Sequence, residues 1–487
     1  KKLTWTQHLE YISTRCKRKL NILRCLTGTS WGSSSKSLIM VYRAYIRPLL
    51  DFGCEAYDSA SENVKKVLDS IQYQSLRICA GALPVTSLAS LQVEMGEAPL
   101  DLRRQQLALK YKHSIDQQPK HPVFPSLQPC WQYQYMKGKQ CNKPFGYRTE
   151  NSNKHLSVEK LKPLNFPPWL LTEPVISIEL ASQINKSDNP LLLQQRSLEI
   201  INTKWFSQLH IFTDGSKLPK EGRCSAAFYV PYFACKQSKR LSDGTSSYRA
   251  ELAGIMLALN WLHQLDTLYV GSVIFSDSLS ALVAIKNKKE ENFISEILVS
   301  LSHLKLKNIN VSFEWIPSHC GITGNECADF HAKAALSKHI EITNSLNISE
   351  VNSILERHFT ELWQLRWQVS PNTHYKTIQK SVAQTFNCKL ERAKEKIIRR
   401  LRLGHIGLNA DLGRMGIHPT GHCNSCREVE TTEHFIAKCP KYLIERSMLL
   451  AETDCINPDD ILRLLNSSEA NIQNALYRFV LRTKRFN

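Results

Sequence analysis

Apolar residues recur along this chain in two rhythms. Up to about residue 116 the rhythm is helical. Leu38, Ile39, Tyr42, Tyr45 and Ile46 return every three or four residues, which predicts a helix over about Ser35–Leu50. Val64, Val67, Leu68, Ile71, Leu76 and Ile78 predict another over about Asn63–Ala80. Between about 205 and 340 short apolar runs alternate with amphipathic stretches. Strands are expected at Leu209–Thr213, Cys224–Val230, Ala234–Gln237, Val273–Ser276 and Val311–Trp315. Helices are expected at about Tyr248–His263, Leu279–Lys286, Phe293–Leu304 and Asn325–Ser337. The first keeps Leu252, Ile255, Met256, Leu259 and Leu262 on one face. This mixture reads as an α/β domain. Beyond 345, helices are expected at Val351–Val369 and Glu391–Leu403.

Between about 117 and 204 the rhythm is lost. Pro119, Pro122, Pro125, Pro129, Pro144, Pro163, Pro167 and Pro168 break any long element, and the stretch reads as a linker. Lys137, Lys139, Lys143 and Arg148 lie beside Trp131, Tyr133, Tyr135 and Phe145, a mixture that suits contact with single strands. A solvated linker has the same composition.

Length and charge narrow the class. A chain of 487 residues is too long for one ordinary core and calls for about three domains. Its 63 Lys+Arg against 44 Asp+Glu leave a net charge of +19, which suits a polyanionic partner, nucleic acid above all. No apolar run is long enough to span a bilayer, and no secretory signal opens the chain. Fifteen scattered cysteines, an odd number, argue for reduced intracellular thiols over a secreted disulfide scaffold. The first residue is Lys1, so the chain is expected to be a piece of something longer.

Four carboxylates stand out in the α/β stretch. Asp214 ends the apolar run of His210-Ile-Phe-Thr-Asp-Gly-Ser-Lys217, and Asp277 ends that of Val273-Ile-Phe-Ser-Asp-Ser278. Glu251 lies in Tyr248-Arg-Ala-Glu-Leu252, expected in the first turn of its helix. Asp329 closes Gly324-Asn-Glu-Cys-Ala-Asp329, ten residues after His319. Singly, each has an ordinary explanation as a turn, a helix cap or a solvated side chain. Together at one place they would repel one another unless divalent cations offset the charge. Two Mg²⁺ ions roughly 3.5–4 Å apart suit an in-line displacement at phosphorus.

The order, context and spacing of these acids and of His319 resemble the type 1 ribonuclease H family. The loop Trp315-Ile-Pro-Ser-His-Cys-Gly-Ile-Thr-Gly-Asn-Glu-Cys-Ala-Asp329 is most similar to the version in LINE-type (non-LTR, jockey-like) retrotransposons. The resemblance implies a ribonuclease H-like mixed five-stranded sheet with flanking helices over 205–340. It implies that Asp214, Glu251, Asp277 and Asp329 hold two Mg²⁺, or Mn²⁺ in their place. It makes His319 the mobile histidine aiding proton transfer or product release, a role its ordinary pKa of about 6.5 suits. Some relatives carry an extra basic protrusion that grips the hybrid. None is expected here, because Glu290 and Glu291 follow Lys286, Lys288 and Lys289 directly.

Residues 1–116 resemble the segment after the polymerase core of LINE-type reverse transcriptases. The phrases concerned are Thr29-Ser-Trp-Gly32, Tyr42-Arg-Ala-Tyr-Ile-Arg-Pro48, Leu50-Asp-Phe-Gly-Cys54, Ile71-Gln-Tyr-Gln-Ser-Leu-Arg77 and Glu97-Ala-Pro-Leu-Asp-Leu-Arg-Arg104. No polymerase site is recognised: the adjacent aspartates Asp459 and Asp460 follow Asn457-Pro458 and lack the aromatic residue such a turn carries.

The last region, 345–487, holds two further candidates. The helix expected at Glu391–Leu403 carries Arg392, Lys396, Arg399 and Arg400, taken as phosphate contacts. A solvated basic helix is the plainer alternative. Then Cys423-x2-Cys426-x7-His434-x4-Cys439 supplies three thiolates and an imidazole, soft ligands that favour a structural, tetrahedral Zn²⁺. His422 competes as a ligand, but its adjacency to Cys423 makes joint coordination awkward. A similar module often follows the ribonuclease domain in LINE-type elements.

The expected protein is therefore a nuclear or cytoplasmic, not secreted, metal-dependent endonuclease. It would act on the RNA strand of RNA–DNA hybrids, joined to or associated with an upstream reverse transcriptase domain. The alternative is a catalytically idle nucleic-acid-binding or connector fragment.

Overall fold

The computed structural model describes the chain apart from residues 1–3, 29–30, 119, 128–143, 151–155, 157, 161–165, 185–187, 220, 266–270, 456–460 and 487. Asp459, Asp460 and most of the aromatic, basic run at 131–143 lie outside the described residues. Two compact units result. One comprises residues 113–124 and 153–354, the other 1–112, 125–152 and 355–487. The helical region at the start and the region after 355, expected as separate segments, thus belong to one unit. Among the described residues no helix is long and apolar enough to cross a membrane.

The first unit is built on a sheet of β1 (Val175–Ser177), β2 (Leu209–Lys217), β3 (Cys224–Val230), β4 (Cys235–Leu241), β5 (Gly271–Ser276) and β6 (Asn310–Trp315). The strand order is β1-β6-β5-β2-β3-β4. β2, β5, β6 and β1 run parallel, while β3 and β4 form an antiparallel meander on β2. Among its helices are α1 (Pro190–Thr203), α2 (Ser247–His263), α3 (Leu279–Lys286), α4 (Asn292–Leu306) and α5 (Thr323–Ala335).

The central strands are apolar on both faces because helices cover both. Leu209, Ile211 and Ile274 join one apolar cluster with Leu252, Ile255 and Leu259 of α2 and Ile297 and Leu301 of α4. Their neighbours Phe212, Val273 and Phe275 join another with Ile201, Trp205, Ile316 and Ala328. This period of two sets which residues can face a site at the strand ends.

The sheet has six strands where five were expected. β1 and α1 come from the stretch read as a linker, which is therefore shorter than 117–204. β1 pairs with β6, so β6 is not an unpaired edge. The carboxylate of Glu314, fully buried on β6, accepts from Ser177 Oγ at 2.8 Å, Lys204 Nζ at 3.1 Å and Trp205 Nε1 at 2.8 Å.

A second charged centre lies behind α2. Arg249 is fully buried and meets Glu159 at 3.0 Å, Glu291 at 3.3 Å and Glu350 at 2.8 Å. Its guanidinium also lies over the Phe293 ring, 4.6 Å from the centroid.

The other unit is helical. Its longest early helices, Thr6–Cys25 and Glu62–Ala80, pack together, and the helix expected at Ser35–Leu50 contains a π-helical turn at Tyr42–Ile46. Its core also includes Ile398, Leu401, Phe435, Leu476 and Phe479.

Candidate metal centre and nuclease site

Strands β2 and β5 and helices α2 and α5 position the acids. Asp214 lies in β2, opposite Ala227 of β3. Asp277 follows the last residue of the parallel neighbour β5, and Trp315 Nε1 donates to its backbone oxygen at 3.1 Å. Ser278 then caps α3, its hydroxyl accepting from the Ala281 N–H.

Glu251 reaches them from α2, which begins earlier than expected. Ser246 is its N-cap, and its side chain accepts from the Arg249 N–H. Glu251 is therefore the fifth helical residue and sits in the second turn, not the first. Gly215 makes the approach feasible: a Cβ there would lie 2.4 Å from the Glu251 nitrogen and 2.5 Å from the Ala250 carbonyl carbon. On the other face, a Cβ on Gly324 would lie 2.3 Å from the Phe212 ring, so α5 too touches the sheet through a glycine.

The result is a tight group. Oxygens of Asp214, Glu251 and Asp277 all lie within 4.8 Å of one another. Asp329 belongs to an adjoining group, within the same separation of His319 and Glu326. Its Oδ2 is also 2.7 Å from Lys333 Nζ, one turn along α5. The single four-acid cluster that was expected is thus three acids, with a fourth beside them on a different set of neighbours. His319 is exposed and has a φ of 53°, an unusual conformation for a residue with a Cβ.

The electrostatics follow from burial. Burial, with Asp277 and Asp329 nearby, pushes Asp214 up to about 7. Glu251 is raised well above the usual carboxylate range, by burial and then by Asp214 and Asp277. Asp277 is raised by burial, and a hydrogen bond from Asn325 and the charge of His319 pull it back. Glu251 Oε2 is buried with no hydrogen-bond partner. Hard oxygen donors, mutual repulsion and an unsatisfied carboxylate oxygen together fit a Mg²⁺ or Mn²⁺ ion. Gly215, Asn325, Glu326 and Lys333 were not singled out from sequence. A glycine directly after the first acid was the one signal that could have found Gly215.

The soft-ligand group comes together as well. Ligand atoms of Cys423, Cys426, His434 and Cys439 lie within 4.8 Å of one another. Cys426 Sγ is 3.2 Å from His434 Nε2, and the Cys423 and Cys439 sulfurs are 3.8 Å apart. A tight turn builds the first pair: the Cys423 N–H donates to Glu428 O and the Arg427 N–H to Cys423 O. Glu428 Oε2 lies 3.0 Å from His434 Nδ1, which leaves Nε2 aimed at the sulfurs. Burial opposes ionisation of Cys423, but the N–H groups of Cys426 and Ser425 and the His434 ring bring it down to about 6. Burial and the neighbouring Cys423 push Cys439 up to about 11. One sulfur ready to ionise among four convergent soft donors fits a tetrahedral zinc ion. His422 is exposed and outside the group.

The four basic residues divide. Arg392 and Arg399 are buried, which corrects their reading as phosphate contacts. Arg392 donates to Ser35 Oγ, Cys79 O and Ile78 O, and Arg399 pairs with Glu94 and Glu395. Arg400 is half-buried and donates to Gly81 O at 2.8 Å; Lys396 is half-buried.

Comparison with known proteins bears on the α/β unit. The RNase H family model matches residues 207–337. The chain carries an RNase H domain. An uncharacterized protein of Caenorhabditis elegans is 33% identical over 79 residues, which is 16% of this chain and 38% of that protein. The matched part thus spans well under half of that relative.

Proposed function

We propose that this chain is a divalent-metal-dependent endonuclease that cuts the RNA strand of RNA–DNA hybrids and belongs to a LINE-type retrotransposon polyprotein. The observation that carries the reading is the convergence of Asp214 within β2, Glu251 on α2 and Asp277 just past β5, with Asp329 and His319 adjoining. The bound cations would supply charge stabilisation at the scissile phosphate. Asp214, Glu251 and Asp277 would hold them, and Asp329 would complete the set once Lys333 gives way. Water attacks phosphorus, and the bond from phosphorus to the bridging O3′ breaks, leaving 5′-phosphate and 3′-hydroxyl ends. His319, exposed beside Asp329, would carry the proton between water, leaving oxygen and solvent. The 2′-hydroxyl marks the scissile strand as RNA. Cys423, Cys426, His434 and Cys439 would hold a structural Zn²⁺ that couples to folding. The retrotransposon origin rests on the phrases of residues 1–116 and on the His319 loop.

The test is cleavage of a hybrid with end-labelled RNA by the purified chain, with Mg²⁺, with Mn²⁺ and with neither. Cleavage that needs either ion and spares single-stranded RNA supports the reading. Loss of RNA-strand specificity, or cleavage independent of both ions, overturns it.

A further inference from the structure

Several acids of the helical unit form internal pairs. Asp51 engages Arg103, Asp58 engages Arg104, Glu97 engages Arg43 and Arg47, Asp101 engages Arg366, and Glu94 engages Arg399. Among the described residues these pairs leave other cations of the unit without a carboxylate.

One helix concentrates part of the positive charge. Thr6–Cys25 buries Leu9, Ile12, Cys16, Leu20 and Leu23. Its outer face carries Arg15, Lys17, Arg18 and Arg24, with Lys19 half-exposed at the edge and Glu10 as the single acid. Among the described residues none of these five cations has an ion-pair partner.

Aromatic rings lie among the charges. The Arg15 guanidinium is 5.6 Å from the centroid of Tyr11, and Lys19 Nζ is 5.1 Å from that of Tyr45 in the adjacent π-helical turn. Both rings remain more than half exposed, at 58% for Tyr11 and 51% for Tyr45. Ile22 is the one aliphatic residue exposed on this face, too little for insertion into a lipid surface. Unpaired cations beside open rings instead match a chain of phosphates with accessible bases, because stacking needs no particular base and the charges follow the backbone.

We propose that the outer face of Thr6–Cys25, together with Tyr45, binds single-stranded nucleic acid. Arg15, Lys17 and Arg18 take phosphates, and Tyr11 and Tyr45 stack on bases. This binding is separate from hybrid cleavage and does not depend on it.

The test uses the full chain and a fluorescent twenty-nucleotide oligouridine, with affinity measured across salt concentrations. Replacing Arg15, Lys17 and Arg18 together by Gln should weaken binding by about tenfold or more near 0.1 M salt. The slope of log affinity against log salt should flatten by about 2, at roughly 0.7 for each phosphate no longer neutralised. Y11A and Y45A should each weaken binding by about tenfold with the slope unchanged. A control chain with Lys286, Lys305 and Lys307 changed to Gln loses the same net charge elsewhere; an equal loss of affinity there would show a bulk charge effect and overturn the proposal. Unchanged affinity and slope in the triple variant also overturn it, as does a dependence on these residues seen with phosphatidylserine vesicles and not with the strand. Should the triple variant unfold, cross-linking of 4-thiouridine strands to the unaltered chain decides. Adducts within residues 6–45 support the site, and adducts confined elsewhere refute it.

Discussion

Lys333 Nζ lies 2.7 Å from Asp329 Oδ2, so the fourth acid of the RNase H domain already carries a counter-cation supplied by its own helix. Lys333 is 57% exposed, which keeps the pair weak, on the order of 0.2–1 kcal/mol. Lys333→Ala should therefore lower the Mg²⁺ concentration for half-maximal hybrid cleavage by about two- to fivefold, with little change in the maximal rate. A Mg²⁺ titration of both proteins checks this; a requirement that rises would mean Lys333 assists and does not compete.

Asp214 should set a pH dependence of stability. Its carboxyl is raised from 3.8 to about 7, so the folded state holds the proton more firmly than the unfolded chain. That contribution is fully present below about pH 4 and is lost as pH rises to about 7. Without added divalent ions, Asp214→Asn should melt higher than the parent at pH 8, by on the order of 2 kcal/mol, and little differently at pH 4. The same variant should have lost hybrid cleavage. A variant no more stable at pH 8, or one that still cleaves, contradicts the assignment.

Gly215 should resist substitution. An added methyl would sit 2.4 Å from the backbone of α2, and neither backbone can move without shifting an acid. Gly215→Ala is expected to reduce cleavage by about 100-fold, since small misplacements at a reacting centre cost that much. Circular dichroism separates a misplaced site from an unfolded domain. Near-normal turnover would show that β2 and α2 can separate without harm.

The thiolate module should hold one zinc per chain. Cys426→Ser removes a ligand, and loss of protease resistance should follow within the core around Phe435, Ile436 and Phe479. Glu428→Gln keeps every ligand but weakens the hold on the His434 ring. It should lower zinc affinity by about 10- to 100-fold, read by competition with a chromophoric chelator. Elemental analysis that finds no zinc in reduced protein would remove the site.

The elements of the RNase H domain were legible where their signals are local. α3 runs over Leu279–Lys286, as the apolar spacing predicts, and Asp277 stands just past β5, whereas β2 runs on through Asp214 to Lys217, beyond the apolar run, because β3 pairs with it there. β1 was hidden because it has three residues and follows Pro174. Its identity comes from pairing with β6, across more than a hundred positions of sequence. Arg392 and Arg399 misled for a similar reason. Charged residues on an amphipathic helix normally face water, and only the fold shows Glu94 waiting about 300 positions away for Arg399. The pairing of Asp329 with Lys333 was open to a four-residue spacing rule, but nothing local says that the pair sits beside His319.

Arg249 carries a lesson about where this domain can be cut. The family match spans 207–337, yet two of the three carboxylates that neutralise this buried guanidinium, Glu159 and Glu350, lie outside it. Excision at the match borders would leave the Arg249 guanidinium with Glu291 alone of its three carboxylates, a loss on the order of 3–5 kcal/mol. It would also strip β1 from the sheet. The smallest self-sufficient fragment should therefore begin before Glu159 and end after Glu350, and shorter pieces should aggregate on expression whatever the state of the nuclease acids.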